Sequence, residues 1–355
     1  MHRKVSAPSR PCPPRPVDAA TPEGSNVAIV IVNYRTPRLA MDCISSLLTE
    51  KRRMPKLRVI VVDGGSGDGS ADQLSAFVRG PLYDNWVSVL PLTINGGFGW
   101  ANNQAILTLA REDRPPDYIY LLNPDAHVIE GATVALADEM CRHPECAATG
   151  SMVLRPNRTV AASAFRFPSP GRELVNSADS EKLGRLLGVA PTVVRPRHSA
   201  AVDWVSGASV MFRVEALRST GLFDDGFFLY FEEVELMHRL RQNGWTVRHV
   251  PDSKIVHIEG ASTGVGVSAS ALPPYWFKSR ERYFALTGGR ASIAAANIAR
   301  LVGTAIGKAK SLGQRSKPRL NRIAEALWRR PHQMSPSFPN WGDAPGDLPA
   351  WMADE

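Results

Sequence analysis

Residues 27–37, VAIVIVNYRTP, carry the pattern that decides the fold class of this 355-residue chain. The first six residues form a continuous apolar run rich in β-branched side chains, which is typical of a strand buried in a parallel sheet. Similar runs recur at 58–62, 87–90 and 118–122, and apolar residues at helical spacing separate them. This alternation predicts right-handed βαβ units and hence an α/β fold, with a Rossmann-like, mostly parallel sheet flanked by helices.

The composition allows a large folded unit and excludes several classes of protein. Hydrophobic residues make up 44% of the chain and charged residues 21%, so a sizeable core can form and global disorder is excluded. The four cysteines, Cys12, Cys43, Cys141 and Cys146, show no CxxC spacing. That spacing argues against a disulfide framework or structural zinc and favours reduced thiols.

Three further segments accompany the predicted domain at 27–262. Residues 1–26 are basic and rich in proline but contain no apolar core, so they predict a disordered leader and not a secretory signal. Residues 263–332 predict a basic amphipathic helical extension, because 278–330 carries a surplus of eleven positive charges, and 333–355 predict a disordered tail. No stretch reaches the roughly 20 strongly apolar residues of a membrane span, so we expect a cytoplasmic protein.

Polar side chains stand at the ends of the predicted strands. Asn33 and Tyr34 follow the first strand, Asp63 follows the second, and Asn-Pro-Asp at 123–125 follows the fourth. The carboxyl ends of parallel strands meet at one edge of a sheet, so these groups are expected to converge on one crevice, where a nucleotide commonly binds. Asp125 would suit a divalent cation that bridges phosphates, although Asn-Pro-Asp is also good turn chemistry.

Two glycine-rich loops follow predicted strands, DGGSGDGS at 63–70 and INGGFGWANN at 94–103. Both would let the backbone approach a ligand closely, although a plain turn explains them as well. Because neither matches GxGxxG, the sequence does not favour a nicotinamide cofactor.

A second cluster combines carboxylates with aromatic residues between 221 and 245. Its five acids lie within twelve residues and are Asp224, Asp225, Glu232, Glu233 and Glu235. Aromatic surroundings desolvate a carboxylate and raise its pKa, which suits a general base. The alternative is an acidic helix N-terminus stabilised by the helix dipole, with the aromatic residues as core.

The ordered set of motifs resembles the family 2 glycosyltransferases, and within them the bacterial rhamnosyltransferase-like branch. It comprises IVNYRTP, VVDGGSGDGS, INGGFGWANN, YLLNPDA, the stretch VSGASVMFRVEALRSTGLFDDGFFLYFEEVELMHRLRQNGW and VPDSKIVHIEG. The resemblance spans residues 26–260 and implies a GT-A fold, with a nucleotide-sugar half at 27–130 and an acceptor half at 131–262.

The resemblance also implies roles for particular residues. The nucleotide-sugar site would comprise Asn33, Tyr34, Asp63, Gly97, Asn102 and Asn123. The metal ligands would be Asp125, with Asn123 in place of the first acid of an Asp-x-Asp motif, and His257. The base would be Glu233 with Glu232 beside it, where the family usually has Glu-Asp. Candidates for the acceptor or its diphosphate are Trp204, Asp224, Asp225, Arg280 and Arg282.

The expected activity is an inverting, metal-dependent transfer of a sugar from a nucleoside diphosphate to an acceptor hydroxyl. The branch favours rhamnose from dTDP-rhamnose, Mg²⁺ or Mn²⁺ as the cofactor, and a cell-surface polysaccharide or lipid-linked acceptor. Two other classes stay open. One is a catalytically silent sugar-nucleotide binder, and the other is a nucleic-acid binder that uses the basic C-terminal block, which the motifs disfavour.

The basic extension has its own pattern. Apolar residues recur at helical spacing at 298–306 and again at 320–328, with Lys and Arg beside them. This spacing predicts two amphipathic helices. They would either lie on the anionic inner face of the cytoplasmic membrane, with Trp328 at headgroup depth, or pack back on the catalytic domain.

Overall fold

A computed structural model describes residues 21–258 and 272–313, together with Pro339 and Asp343. The strands are β1 Val27–Asn33, β2 Arg58–Asp63, β3 Val87–Pro91, β4 Tyr118–Leu122, β5 Ala126–Val128, β6 Cys146–Leu154, β7 Ala164–Phe165, β8 Val193–Val194, β9 Ala200–Val202, β10 Trp204–Val205, β11 Ser209–Arg213 and β12 Thr246–His257. The helices are α1 Pro37–Ser46, α2 Leu48–Arg53, α3 Ser70–Val78, α4 Phe98–Ala110, α5 Ala132–Arg142, α6 Pro170–Ser177, α7 Glu181–Leu186, α8 Val214–Thr220, α9 Glu232–Gln242 and α10 Pro274–Gly313.

A nine-stranded sheet forms the centre of the fold, in the order β3-β2-β1-β4-β11-β6-β12-β5, with β9 paired to β12. The four predicted strands lie side by side and parallel at one end. Strand β11 enters antiparallel between β4 and β6, and β12 runs parallel to β6. Buried apolar side chains cover both faces of the sheet, which explains why β1 is apolar throughout. The predicted fold class is confirmed.

The weak apolar periodicity of residues 155–203 predicts loops and irregular connections, but the structure forms the short helices α6 and α7 there. Each helix begins after a capping serine. Ser169 Oγ accepts a hydrogen bond from the Arg172 N–H, and Ser180 Oγ accepts one from the Leu183 N–H. Helices of eight and six residues carry too few turns for an apolar periodicity to show in the sequence.

The start of the folded chain also differs from expectation. The predicted disordered leader extended to residue 26, but Pro22–Gly24 form a 3-10 turn and Ser25 is buried. Asn26 donates its N–H to Asp117 at 2.8 Å, so the fold begins before β1. The rest of the leader and Cys12 lie outside the described residues, while Cys43, Cys141 and Cys146 form no disulfide with one another.

The extension forms α10, which consists of two helical segments separated by a kink at Gly289, where φ is 66° and ψ is −166°. Its inward face packs along α6 and buries Tyr283, Phe284, Ile293 and Ala296. This face of the extension therefore packs on the catalytic domain, which was one of the two alternatives left by the sequence. The predicted second helix at 320–328 lies outside the described residues.

The outward face of α10 is apolar but exposed. Ile298, Leu301 and Val302 are 62%, 43% and 45% exposed and recur at helical spacing. Within the described part of the chain, no helix combines the length and the apolar character needed to cross a membrane.

Candidate active site

A cleft of about 430 Å³ opens at the carboxyl ends of β1, β2 and β4. Tyr34 and Gly64, which directly follow β1 and β2, line one part of it. Asn123 follows β4 and lines the centre, and Glu232 and Glu233 at the start of α9 line the opposite part. The structure therefore brings the two predicted clusters into one cleft, as expected from the strand-end rule.

Asn33 and Asp63 stand behind this surface and do not line the cleft. Both are buried, and Asn33 Nδ2 donates to Asp63 Oδ1 at 2.8 Å. Ser66 Oγ donates to the same oxygen at 2.7 Å, and the Ser66 N–H donates to Oδ2 at 3.1 Å. These bonds fix the loop after β2 against the end of β1, so Tyr34 and Gly64 present the accessible surface. Direct contact of Asn33 or Asp63 with a nucleotide stays a prediction.

Gly97 joins the two halves of the cleft. Its φ is 92°, and a Cβ atom there would lie 2.1 Å from the Phe228 carbonyl oxygen. The same oxygen accepts the Phe98 N–H at 3.0 Å. Only glycine fits this left-handed, close-packed position, which places the start of α4 directly beside the loop that leads to Glu232.

Asp125 and His257 contact each other, and of the two only His257 lines the cleft. β12 pairs with β5 so that His257 lies opposite Ala126, and His257 Nε2 is 2.9 Å from Asp125 Oδ1. Asn123 Nδ2 is 3.2 Å from the same histidine nitrogen. Asp125 is buried, and its Oδ2 has no hydrogen-bond partner among the described residues. A buried carboxylate oxygen without a partner is costly, which favours a cationic ligand there.

The donor set at this point fits a hard divalent cation that takes substrate oxygens as well. Within 21–258 and 272–313, no three His, Cys, Asp or Glu side chains form a group that could hold a metal alone. Mg²⁺ commonly binds through one or two carboxylates plus substrate phosphates, and it keeps several waters. Asp125 and His257 with a bound diphosphate would meet that requirement, whereas they would not make a closed structural site.

Glu232 and Glu233 are positioned by an unusual backbone. The two residues before them, Tyr230 and Phe231, both have left-handed φ values, 70° and 71°. Such conformations cost of order 1–3 kcal/mol per non-glycine residue and persist where the surroundings enforce them. The turn delivers Glu232 and Glu233 to the cleft at the first turn of α9, and each has a buried Oε2 without a hydrogen-bond partner among the described residues.

Burial changes the acidity of both carboxylates. Desolvation raises the pKa of Glu232 well above its ordinary value, and the neighbouring Glu233 charge raises it further. Desolvation also raises the pKa of Glu233, opposed by backbone hydrogen bonds that include one to Gly207. A carboxylate with a raised pKa is a better proton acceptor for a hydroxyl, so the pair suits general base chemistry.

The structure places Asp224 and Arg282, two of the predicted acceptor residues, outside the cleft. They form a buried ion pair, with Arg282 Nη2 2.7 Å from Asp224 Oδ1, and the guanidinium lies 5.5 Å from the Phe227 ring centroid. Neither side chain lines the cleft. The pair joins the loop before α9 to α10, which indicates that it holds that loop, and a role in acceptor binding stays a prediction.

Arg280 and Asp225 are likewise engaged by other side chains of the fold. Arg280 is buried, with Nη2 2.9 Å from Glu173 Oε2 and Nη1 donating to Asn297 at 2.8 Å. Asp225 accepts from Asn103 Nδ2 at 2.7 Å, and burial raises the pKa of Asp225 to about 7. Arg280 and Asp225 lie outside the cleft lining as well.

Trp204 and Asn102 are also structural. The Trp204 ring stacks on Phe165 at 4.1 Å, and its Nε1 donates to the Arg166 carbonyl. Asn102 is buried in α4 and donates to the Phe98 carbonyl at 2.9 Å. Neither residue lines the cleft.

Sequence reasoning missed part of the cleft. Gly207, in the turn before β11, faces the Glu233 carboxylate, and Phe228 and Tyr230 line the wall before α9. Tyr275 reaches the cleft from the first turn of α10, which the sequence placed in a separate extension. No local signal distinguishes an aromatic residue on a cleft wall from one in the core.

Comparison with known proteins gives two matching family models. Glycosyl transferase family 2 matches residues 28–183, and Glycosyl transferase family group 2 matches residues 118–287. The N-acetylglucosaminyl-diphospho-decaprenol L-rhamnosyltransferase of Mycobacterium tuberculosis is 32% identical over 250 residues, which cover 66% of this chain and 77% of the relative.

Two other proteins are more distantly similar. The rhamnosyltransferase WbbL of Escherichia coli K12 is 26% identical over 169 residues, or 45% of this chain and 60% of the relative. The solved structure of GalNAc-T7 with UDP, GalNAc and Mn²⁺ has a TM-score of 0.50 at 14% identity, covering 74% of this chain and 50% of that one. This last likeness is one of fold alone.

Proposed function

Because the chain belongs to glycosyl transferase family 2, as its motifs predicted, we propose that its cleft transfers a sugar from a nucleoside diphosphate to an acceptor hydroxyl. The observation that carries this proposal is the shared cleft. Glu232 and Glu233 lie in the same cavity as Asn123 and His257, so a base and a candidate diphosphate site face one substrate space.

Glu233 acts as the general base in this proposal. Its carboxylate takes the proton of the acceptor hydroxyl while the hydroxyl oxygen forms a bond to the anomeric carbon. The bond between that carbon and the diphosphate oxygen breaks, and its electron pair leaves with the nucleoside diphosphate. Attack from the face opposite the leaving group inverts the configuration in a single displacement.

Asp125 and His257 hold the leaving-group end of the donor. A bound Mg²⁺ or Mn²⁺ would offset the negative charge that develops on the diphosphate. Asp125 supplies the carboxylate oxygen, and His257 lies beside it, with Nε2 2.9 Å from Asp125 Oδ1. Tyr34 and Gly64 border the space left for the nucleoside.

The names of the relatives support a rhamnosyl donor and a lipid-linked acceptor. The Mycobacterium tuberculosis relative is named for rhamnose and for N-acetylglucosaminyl-diphospho-decaprenol, and the Escherichia coli relative is named as a rhamnosyltransferase. For this chain we propose dTDP-rhamnose as donor and N-acetylglucosamine on a polyprenyl diphosphate as acceptor.

A lipid-linked acceptor would require the enzyme to reach a membrane, and α10 offers the surface for it. Its exposed apolar face at Ile298, Leu301 and Val302 is accompanied by the exposed basic residues Arg290 and Lys308. A helix with this arrangement lies in the interface of an anionic leaflet, where each Lys or Arg contributes about 1 kcal/mol. We therefore propose peripheral binding to an anionic membrane.

Nucleotide release from a panel of dTDP-, UDP- and GDP-sugars tests the function. The expected result is metal-dependent release from dTDP-rhamnose that chelator abolishes, Mn²⁺ or Mg²⁺ restores, and the Asp125→Ala variant lacks. Full activity in excess chelator would overturn the metal assignment. The absence of release from every donor, with binding retained, would leave a sugar-nucleotide binder.

Vesicle sedimentation tests the membrane proposal. The wild-type chain is expected to sediment with phosphatidylglycerol vesicles but not with phosphatidylcholine vesicles, and Leu301→Asp should reduce that recovery. Leu186→Asp is the matched control, because Leu186 is 81% exposed and belongs to α7, not to the exposed apolar face of α10. Equal recovery with both lipids, or none with either, would contradict the proposal.

A further inference from the structure

The first turn of α10 adds an aromatic wall to the cleft. Tyr275 stacks on Tyr230, with ring centroids 6.0 Å apart and ring planes 19° from parallel. It also meets the edge of Phe228, with centroids 5.5 Å apart at 65°. All three residues line the cleft, and all three are only partly buried. Their rings are therefore accessible to a ligand.

This wall lies on the acceptor side of the cleft. Phe228 and Tyr230 come directly before Glu232 and Glu233 in the chain, whereas the residues that border the nucleoside space follow β1 and β2 on the other side. The hydroxyl that is deprotonated must reach the base. The sugar ring that carries this hydroxyl must then lie beside the residues next to the base.

The wall is held firmly in place. Ser279 Oγ donates to the Leu229 carbonyl at 2.9 Å, so α10 is tied to the backbone between Phe228 and Tyr230. The Trp276 ring meets the Phe231 ring edge-on, with centroids 5.5 Å apart. The left-handed backbone at Tyr230 and Phe231 is thus enforced from α10. A binding surface that is already ordered loses little entropy when a ligand arrives.

We propose that Tyr230 and Tyr275 form the subsite that binds the acceptor sugar, an inference that rests on the proposed transferase function. A pyranose such as N-acetylglucosamine has an apolar face of C–H groups and a rim of hydroxyls. The flat rings of the two tyrosines match the apolar face, and their phenolic groups can exchange hydrogen bonds with the rim. α10 is then part of the catalytic unit and is needed for acceptor recognition.

Steady-state kinetics with dTDP-rhamnose and a short-chain polyprenyl diphosphate-linked N-acetylglucosamine test this inference. Tyr275→Ala should raise the KM for this acceptor by about tenfold or more, and by a larger factor than it changes the KM for the donor. Tyr275→Phe keeps the ring and should retain most of the acceptor affinity. Phe277→Ala is the matched control, because Phe277 lies two residues along the same helix and does not line the cleft.

The outcomes separate this inference from the proposed function. Wild-type enzyme that turns over no donor, with or without acceptor, would refute the transferase proposal itself. With an active wild type, an unchanged acceptor KM in Tyr275→Ala overturns the acceptor subsite. A rise in the donor KM instead would show that the rings contact the nucleotide. Equal losses of activity in Tyr275→Ala and Phe277→Ala would show that the rings only stabilise the fold. Either result overturns the inference.

Discussion

The structure makes a sharp prediction for the buried ion pair between Asp224 and Arg282, whose removal should destabilise the fold. Arg282 Nη2 lies 2.7 and 2.9 Å from the two Asp224 carboxylate oxygens, and Arg282 Nε lies 3.2 Å from one of them. The Asp224 side chain is fully buried and the Arg282 side chain is 13% exposed. Arg282→Met keeps most of the side-chain volume but leaves a buried carboxylate without its arginine. The expected loss in the free energy of unfolding is about 3–5 kcal/mol.

Urea unfolding followed by circular dichroism measures this loss. For an m value near 3 kcal/mol/M, the midpoint should fall by about 1–1.7 M. Arg53→Met is the matched control, since Arg53 and Glu130 form an ion pair of 2.6 Å whose side chains are 50% and 57% exposed. Exposed pairs contribute about 0–1 kcal/mol, so this variant should hardly move the midpoint. The double variant Asp224→Asn/Arg282→Met should recover part of the stability, because no buried charge is left unpaired.

One result would refute the structural role of the pair. If Arg282→Met costs no more stability than Arg53→Met but raises the KM for acceptor, then Arg282 binds substrate, as the sequence first suggested. The stability and kinetic measurements on the same variant therefore decide between the two roles.

Three further predictions follow from the site and the core. Glu233→Gln should lower kcat by about 10²–10⁴-fold with unchanged donor binding, since an amide cannot accept the proton. Glu232→Gln should lower kcat by a smaller factor. If a kinetic assay gives the reverse order, Glu232 and not Glu233 is the base. Gly97→Ala should unfold at lower urea and lose activity, because its methyl group would meet the Phe228 carbonyl. Burial lowers the pKa of His249 to about 4, so between pH 6.5 and pH 4 this histidine is protonated in the unfolded chain but neutral in the folded chain. The contribution of His249 to the free energy of unfolding should therefore fall by up to about 1.4 kcal/mol for each pH unit below 6.5, down to pH 4. His249→Asn should remove this contribution from the pH dependence.

The sequence by itself determined the parallel half of the sheet and the edge that carries the site. β1, β2, β3 and β4 begin and end within a residue of their predicted bounds, because a strand buried on both faces leaves a continuous apolar run that is visible locally. The same logic placed Tyr34 and Asn123 at strand ends that meet in one cleft. The ordered motifs further identified the family, which the comparisons confirm.

Only the tertiary structure decided which polar residues face the substrate and which hold the fold together. Asp63 and Arg282 carry the charges expected of ligand-binding residues, yet each is engaged by a partner distant in sequence, Asn33 or Asp224. Tyr275 is the opposite case. The sequence assigned this residue to a separate extension, but the packing of α10 brings it to the cleft wall. The same physical reason applies to Asp63, Arg282 and Tyr275. Periodicity reports the burial of a residue along its own element, whereas the partner of a side chain depends on how distant elements pack, and that information is absent from any local stretch of sequence.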